Sequence, residues 1–205
     1  MEKIDLKKTH RALYTAPIGD FVIIDVPELT YLMIDGYGDP NVPAAYAEAV
    51  EALYTAAYTL KFMSKATIGK DYVVPPLEGL WWADDYDDFI ARRKDRWSWT
   101  MMILVPDFVG PAMAKAAIAR ATAKKSLAAL ARIRVAPLRE GRVVQTLHIG
   151  PYDAEGPILK HLHEVFLPAN GLAETGLHHE IYLGDPRKAA PEKLRTILRQ
   201  PVKTR

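Results

Sequence analysis

Short apolar runs alternate along this chain with longer stretches in which apolar positions recur every three or four residues, a mixture that predicts both strands and helices. Residues 21–26 and 31–35 read as two strands, the second running into Gly36-Tyr37-Gly38-Asp39-Pro40, where glycines and a proline mark a turn. Over residues 44–62 the positions Tyr46, Val50, Leu53, Ala57 and Leu60 fall on one helical face, so that helix is expected to cover a sheet. Residues 72–82 and 97–105 read as strands joined by the charged stretch 84–96, a solvated loop or hairpin tip, with Pro75 and Pro76 confining strand structure to an edge or to the residues after them. Gly110-Pro111 opens an alanine-rich stretch that predicts a helix over residues 112–133, placed as a bridge between halves. Beyond it come a strand at 142–149, a turn at Gly150-Pro151-Tyr152-Asp153, and a helix at 157–167 with Asn170-Gly171 past its end. Strands at 179–183 and 194–198 close the pattern, and residues 1–20 read as an arm lying on the domain.

The order strand, helix, strand, strand occurs twice. Gly36-Tyr37-Gly38-Asp39 lies over Gly150-Pro151-Tyr152-Asp153, Leu80-Trp81-Trp82-Ala83-Asp84 over Ile181-Tyr182-Leu183-Gly184-Asp185, and Trp99-Thr100-Met101-Met102 over Arg195-Thr196-Ile197-Leu198. The pattern predicts an α+β fold of duplicated strand-helix-strand-strand units with antiparallel sheets around a pseudo-twofold cleft. Residues 1–205 form a single domain in this reading, with half-units at about 20–105 and 142–202 and the bridging helix at about 111–133. Helices are expected on one side and a concave face on the other, with the cleft as the natural ligand site.

Composition removes several function classes. The formal charge of +2 lacks the basic face that a phosphate backbone demands, so no nucleic-acid partner is expected. With no cysteine there are no disulfides, thiolate metal sites or cysteine nucleophiles. The segment MEKIDLKKTH lacks the apolar stretch of a signal peptide, and no run approaches the roughly 18 apolar residues of a membrane span. A cytoplasmic protein with no membrane partner is the expectation.

Trp81, Trp82, Trp97 and Trp99 fall within nineteen consecutive positions, 81 to 99. Each indole is bulky enough to be core. Period two, however, sends Trp81 and Trp82 to opposite faces and puts Trp97 and Trp99 on one, so two or three rings are also placed to line the concave side with Tyr182 as a cage for flat or cationic ligands. Glu180 sits inside a short apolar strand, in phase with Tyr182 and out of phase with Ile181 and Leu183. If the aliphatic face meets the helices, Glu180 points into the cleft as a binding anchor or general base; otherwise it is a wet strand end beside His179. Tyr152 and Glu155 are further candidates that also suit a turn and a helix start. His161 and His163 cannot chelate from one helical face, and His178 and His179 diverge on a strand, so no metal is expected. Asp84, Asp85, Asp87 and Asp88 lack the glycine and glutamate of a calcium loop. Walker and nucleophile-elbow motifs are missing and the glycine turn lacks the last glycine of a dinucleotide fingerprint, so no cofactor is expected.

The segments YLMIDGYGDPN, PPLEGLWW, WSWTMMILVPDFV, HIGPYDAEGP and EIYLGDPRK, in this order, resemble the GyrI-like small-molecule-binding proteins over about residues 20–202. The resemblance implies the same duplicated fold, of the SHS2 type, and a xenobiotic pocket with a central glutamate, which EIYLGDP places at Glu180 beside Tyr182. The tryptophan pairs are similar to members that act as cyclopropanoid cyclopropyl hydrolases, which open the strained ring of DNA-alkylating natural products. The expected function is therefore a detoxifying hydrolase. Trp81, Trp97, Trp99, Tyr182 and Glu155 would bind an aromatic or cationic xenobiotic, and Glu180 and Tyr152 would carry the catalysis. The alternatives are a non-catalytic binder of cationic amphipathic drugs and an interaction protein that holds a partner on the concave face.

Overall fold

A computed structural model describes residues 3–85 and 93–205. Asp87 and Asp88, with part of the charged stretch predicted at 84–96, lie outside them. Along the chain the helix α1 (Leu6–Thr9) is followed by strands β1 (Val22–Val26) and β2 (Leu29–Tyr37), helix α2 (Pro43–Ile68), and strands β3 (Leu77–Ala83) and β4 (Trp97–Leu104). Helix α3 (Pro111–Lys124), strands β5 (Arg134–Leu138) and β6 (Gly141–Ile149), and helix α4 (Gly156–His161) come next. Strands β7 (Leu172–Glu174), β8 (His178–Tyr182) and β9 (Arg195–Thr204) complete the order.

These elements divide into two compact units, Met1–Thr9 with Leu29–Leu138, and His10–Glu28 with Arg139–Arg205. The division differs from half-units at 20–105 and 142–202. Strand β1 leaves its neighbour β2 and pairs antiparallel with β6, from Val22 opposite Gln145 to Val26 opposite Gly141, while β5 pairs with β2. The helix expected as a bridge at 111–133 belongs to the first unit. It ends at Lys124, whose successor Lys125 is extended, and Ala128–Arg132 forms a separate 3₁₀ turn. Its buried Ala114, Ala117 and Ala121 pack toward α2, which buries Ala49, Ala52 and Ala56.

In the first unit the strands run in the order β3-β4-β2-β5, all antiparallel. In the second the order is β8-β9-β6-β1, again antiparallel, with the short β7 also on β9. Strand, helix, strand, strand therefore recurs with one topology: in each repeat the last strand, β4 or β9, lies between the other two.

Strand registers refine the internal correspondence. Gly38 (φ 98°) and Gly150 (φ 140°) each end a first strand in backbone conformations that L side chains rarely adopt. Each donates its N–H to the residue at or just before the start of the last strand, Gly38 to Trp97 O at 2.8 Å and Gly150 to Leu194 O at 3.0 Å. The structural counterpart of Gly150 is thus Gly38 and not Gly36. The counterpart rows are then Gly36–Trp99–Trp81 in the first unit and His148–Thr196–Tyr182 in the second. The sequence overlay was two residues off at the turn and one off at the last strand.

Helix α2 begins with Pro43 in its first turn, where a missing N–H costs nothing, and stops at Gly69 in the left-handed conformation (φ 66°). The helix expected at 157–167 runs on from α4 through a π turn, Leu162–Phe166, into Leu167–Ala169. In the π turn the N–H of Leu167 reaches back to Leu162 O, widening the helix just before Pro168, which has no N–H to give.

Candidate functional site

In the first unit the register puts Trp81 opposite Trp99, and Trp97 two residues before Trp99 on the same face. That face carries α2. Tyr46 of the helix stacks on Trp81 (centroids 6.2 Å) and meets Trp99 edge-on at 5.3 Å, while Trp81 and Trp97 lie edge to face at 5.9 Å. Trp99 is 1% exposed; its indole N–H donates to Gly38 O at 3.3 Å, and its ring covers Gly36 so closely that a Cβ there would sit 2.1 Å from ring carbons. Trp99 is therefore core, and Trp81 is buried beside it, whereas Trp97 is half-buried. The sequence-based expectation put these rings on a face away from the helices. They lie on the helix-bearing face because indoles of this size fill the space between α2 and the sheet.

In the second unit, residues paired across the ladder place Ile23 of β1, Val144 and Thr146 of β6, Thr196, Leu198 and Val202 of β9, and Glu180 and Tyr182 of β8 on one face, with Phe21 packed against it. Leu162, Phe166 and Leu167 pack on that face against Val144, Val202 and Ile23. The opposite face, with Gln145, Ile181, Ile197 and Arg199, lies under the segment 12–17: Gln145 Nε2 donates to the carbonyls of Ala12 and Thr15, and Arg199 to that of Leu13. The premise that the aliphatic face of β8 meets the helix is thereby corrected. Buried Gln145 and Arg199 on that face both donate to carbonyls of the arm, and the helix lies on the face of Glu180.

Where the chain turns into α4, it brings Tyr152 onto Tyr182, ring centroids 5.6 Å apart and edge to face. Glu180 is nearly buried, 13% exposed, with Oε1 3.3 Å from His178 Nε2. Glu155 is buried at the helix start, where its side chain makes no capping hydrogen bond. Burial, and after it the negative charges of Glu180, Glu155 and Asp185, pushes the Tyr152 phenol up to about 12. Asp185 itself is held at about 2, chiefly by a hydrogen bond from Arg187. At neutral pH this is a protonated phenol among carboxylates, a donor beside an acceptor.

Of the residues expected at the site, the structure gathers Tyr152, Glu155, Glu180 and Tyr182 in the second unit, and Trp81, Trp97 and Trp99 in the first. Sequence reasoning placed none of Tyr46, Thr196 and Asp185 at the site and weighed His178 only as a metal ligand. His178 is two residues from Glu180, so the same alternation that aligned Tyr182 would have aligned it. Thr196 is fully buried beside Tyr182, and its hydroxyl finds no hydrogen-bond partner among the described residues. These residues present no cluster of three or more metal-ligating side chains, and no described helix is long and apolar enough to cross a membrane.

Comparison with known proteins matches residues 19–203 to the GyrI-like small molecule binding domain. A conserved protein of unassigned function from Listeria innocua is similar over 98% of this chain and 100% of its own, at 42% identity and TM-score 0.88. Another Listeria innocua protein, described as a hydrolase, is 41% identical with TM-score 0.84 over the same shares. The C-terminal domain of EcmrR shares the fold, at 14% identity and TM-score 0.57, over 91% of this chain and 98% of that domain. No curated protein matches.

Proposed function

Because the chain belongs to the GyrI-like family of small-molecule-binding domains, we propose that it is a cytoplasmic protein that hydrolyses a flat, electrophilic aromatic xenobiotic, such as a cyclopropane conjugated to a dienone. The observation that carries this reading is the Tyr152 ring packed edge to face on Tyr182, two residues along β8 from the nearly buried Glu180. The description of a relative at 41% identity as a hydrolase supports it.

In the reaction, Glu180 accepts a proton from water as the water oxygen bonds to a cyclopropane CH₂. The ring C–C bond breaks toward the dienone, and the oxygen that becomes a phenolate takes a proton from Tyr152. Proton transfer from Glu180 back to Tyr152 through solvent restores both groups, and the net change is addition of one water. Tyr182 supplies a ring for the substrate beside Tyr152.

The carboxylates around Tyr152 favour one second reading, a binder of cationic amphipathic drugs that does no chemistry. Glu180→Gln separates the two. Under the hydrolase reading the wild type turns over excess substrate, and the variant loses about a hundredfold or more of kcat while still binding the neutral product. Mass spectrometry of the ring-opened product reads the first, and tryptophan fluorescence titration the second. Stoichiometric protection without product, with affinity for a cationic dye lost in the variant, would establish the binder instead.

A further inference from the structure

Helix α2 is apolar on two opposite sides. Its inner side buries Ala49, Ala52, Leu53, Ala56, Ala57 and Leu60. On the side turned half a revolution away, Tyr54, Tyr58 and Phe62 form an aromatic stripe at the four-residue spacing of one helical face. Tyr58 is 48% exposed and Phe62 62% exposed, and the rings of Tyr54 and Tyr58 lie 6.4 Å apart. Large aromatic side chains left in water on consecutive turns of a helix mark an interaction surface.

Charge along the same stripe says what fits it. Glu51 stands seven residues before Tyr58 and Lys65 seven residues after it, both exposed, and at about 100° per residue both fall within about 20° of Tyr58 around the helix. Tyr54 and Phe62 stand four residues before and after. The stripe is therefore self-complementary about Tyr58. When two copies of α2 lie antiparallel with their Tyr58 side chains at a two-fold axis, each Tyr54 meets the other copy's Phe62, and each Glu51 meets the other copy's Lys65. A parallel pairing would set glutamate against glutamate and lysine against lysine. Lys65 also lies 3.4 Å from Asp71, and its side chain is 54% exposed, which leaves it within reach of a second carboxylate.

We propose that the outer face of α2 is a homodimer interface in which two copies of this chain pair antiparallel about Tyr58 through Tyr54, Phe62 and the Glu51–Lys65 charge pairs. Glu51 to Lys65 spans about 21 Å of helix. One helix pair of that length buries less than the roughly 1,200 Å² of a standard stable interface, so the dimer forms in the micromolar range and exchanges readily.

The test is sedimentation of the full chain between about 2 and 200 µM. Wild type should pass from monomer to dimer mass across that range. Glu51→Lys alone sets lysine against lysine twice, Lys65→Glu alone sets glutamate against glutamate twice, and each should raise Kd at least about tenfold. An equimolar mixture of these two variants restores opposite charges at both contacts, so dimer mass should return in the mixture, as a heterodimer. Phe62→Ser should weaken the dimer without a charge change. All three positions are exposed, and unchanged thermal transitions would show that folding is intact. A wild type that stays monomeric at 200 µM overturns the proposal, whether another protein then occupies the face or none does. A dimer indifferent to the three variants, or a mixture that stays monomeric, overturns it equally.

Discussion

Glu140→Gln is expected to lower the stability of the protein by about 3–5 kcal/mol, the usual consequence of removing one partner from a buried ion pair. The Glu140 side chain is 3% exposed and accepts hydrogen bonds from His179 Nδ1 at 2.9 Å and from Arg199 at 3.0 Å. Arg199 also donates to Gln145 Oε1 and Leu13 O, but both acceptors are neutral and neither replaces the carboxylate's charge. Burial alone would raise the Glu140 pKa, but the charge and hydrogen bond of His179, and then those of Arg199, outweigh it and hold the carboxyl at about 2. Its ordinary value is 4.5. The unfolded chain thus binds a proton between those values that the folded chain does not, so the group's contribution is complete above about pH 4.5 and is lost as pH falls toward 2. Urea unfolding of wild type and variant from pH 2.5 to 6.5 should show the gap narrowing toward the acid end. A gap independent of pH would remove the carboxylate's charge from the account.

The second large effect is steric. Gly36→Ala should cost about 3 kcal/mol, the upper part of the range for forcing a methyl group into a packed core. A Cβ at Gly36 meets two carbons of the Trp99 ring at 2.1 Å and a third at 2.6 Å, separations at which something must move. The indole has little freedom to do so, because its N–H is bonded to Gly38 O and Tyr46 abuts it on the α2 side. Trp99→Leu is costly by itself for the lost burial, yet it removes the obstacle. The double variant should therefore be more stable than the sum of the two single losses predicts, by about 1–3 kcal/mol of coupling. Thermal or urea melts of the four proteins complete the cycle. Simple additivity would show that the ring yields easily.

Most of this fold was legible because period two and period 3.6 are distinct wherever one face of an element is buried. Strand β6 and the helix over 44–62 follow from that alone. Proline obscured the rest. Strand β5, which the sequence pattern did not reveal, contains Pro137 and lies at the edge of its sheet, where one side of the strand donates to nothing. Strand β9 passes through Pro201, opposite Val143, and continues to Thr204, well beyond the expected end at 198. The site was legible as residue types and as phase: Glu180 and Tyr182 share a face, as their spacing requires. Which element covers that face was not, since helix and arm are both amphipathic and the choice rests on polar partners over a hundred residues apart, such as Arg199 with Leu13. The fate of Trp99 was hidden for a similar reason, because it depends on a glycine on another strand.

The exchange of β1 and β5 bears on how the chain comes to be folded. Val22 pairs with Gln145, 123 positions later, so β1 acquires its ladder only after β2 through β5 have been made. Until then VIIDV is an extended, β-branched segment with unpaired amides on both edges, the kind of strand that seeks other chains. Closing so long a loop slows folding far more than it weakens the finished sheet, since closure entropy grows only logarithmically with loop length. Asp25, the fourth of the five residues of β1 and exposed in the native sheet, then acts in the interval as well: a negative charge among four aliphatic residues keeps waiting chains from stacking on one another.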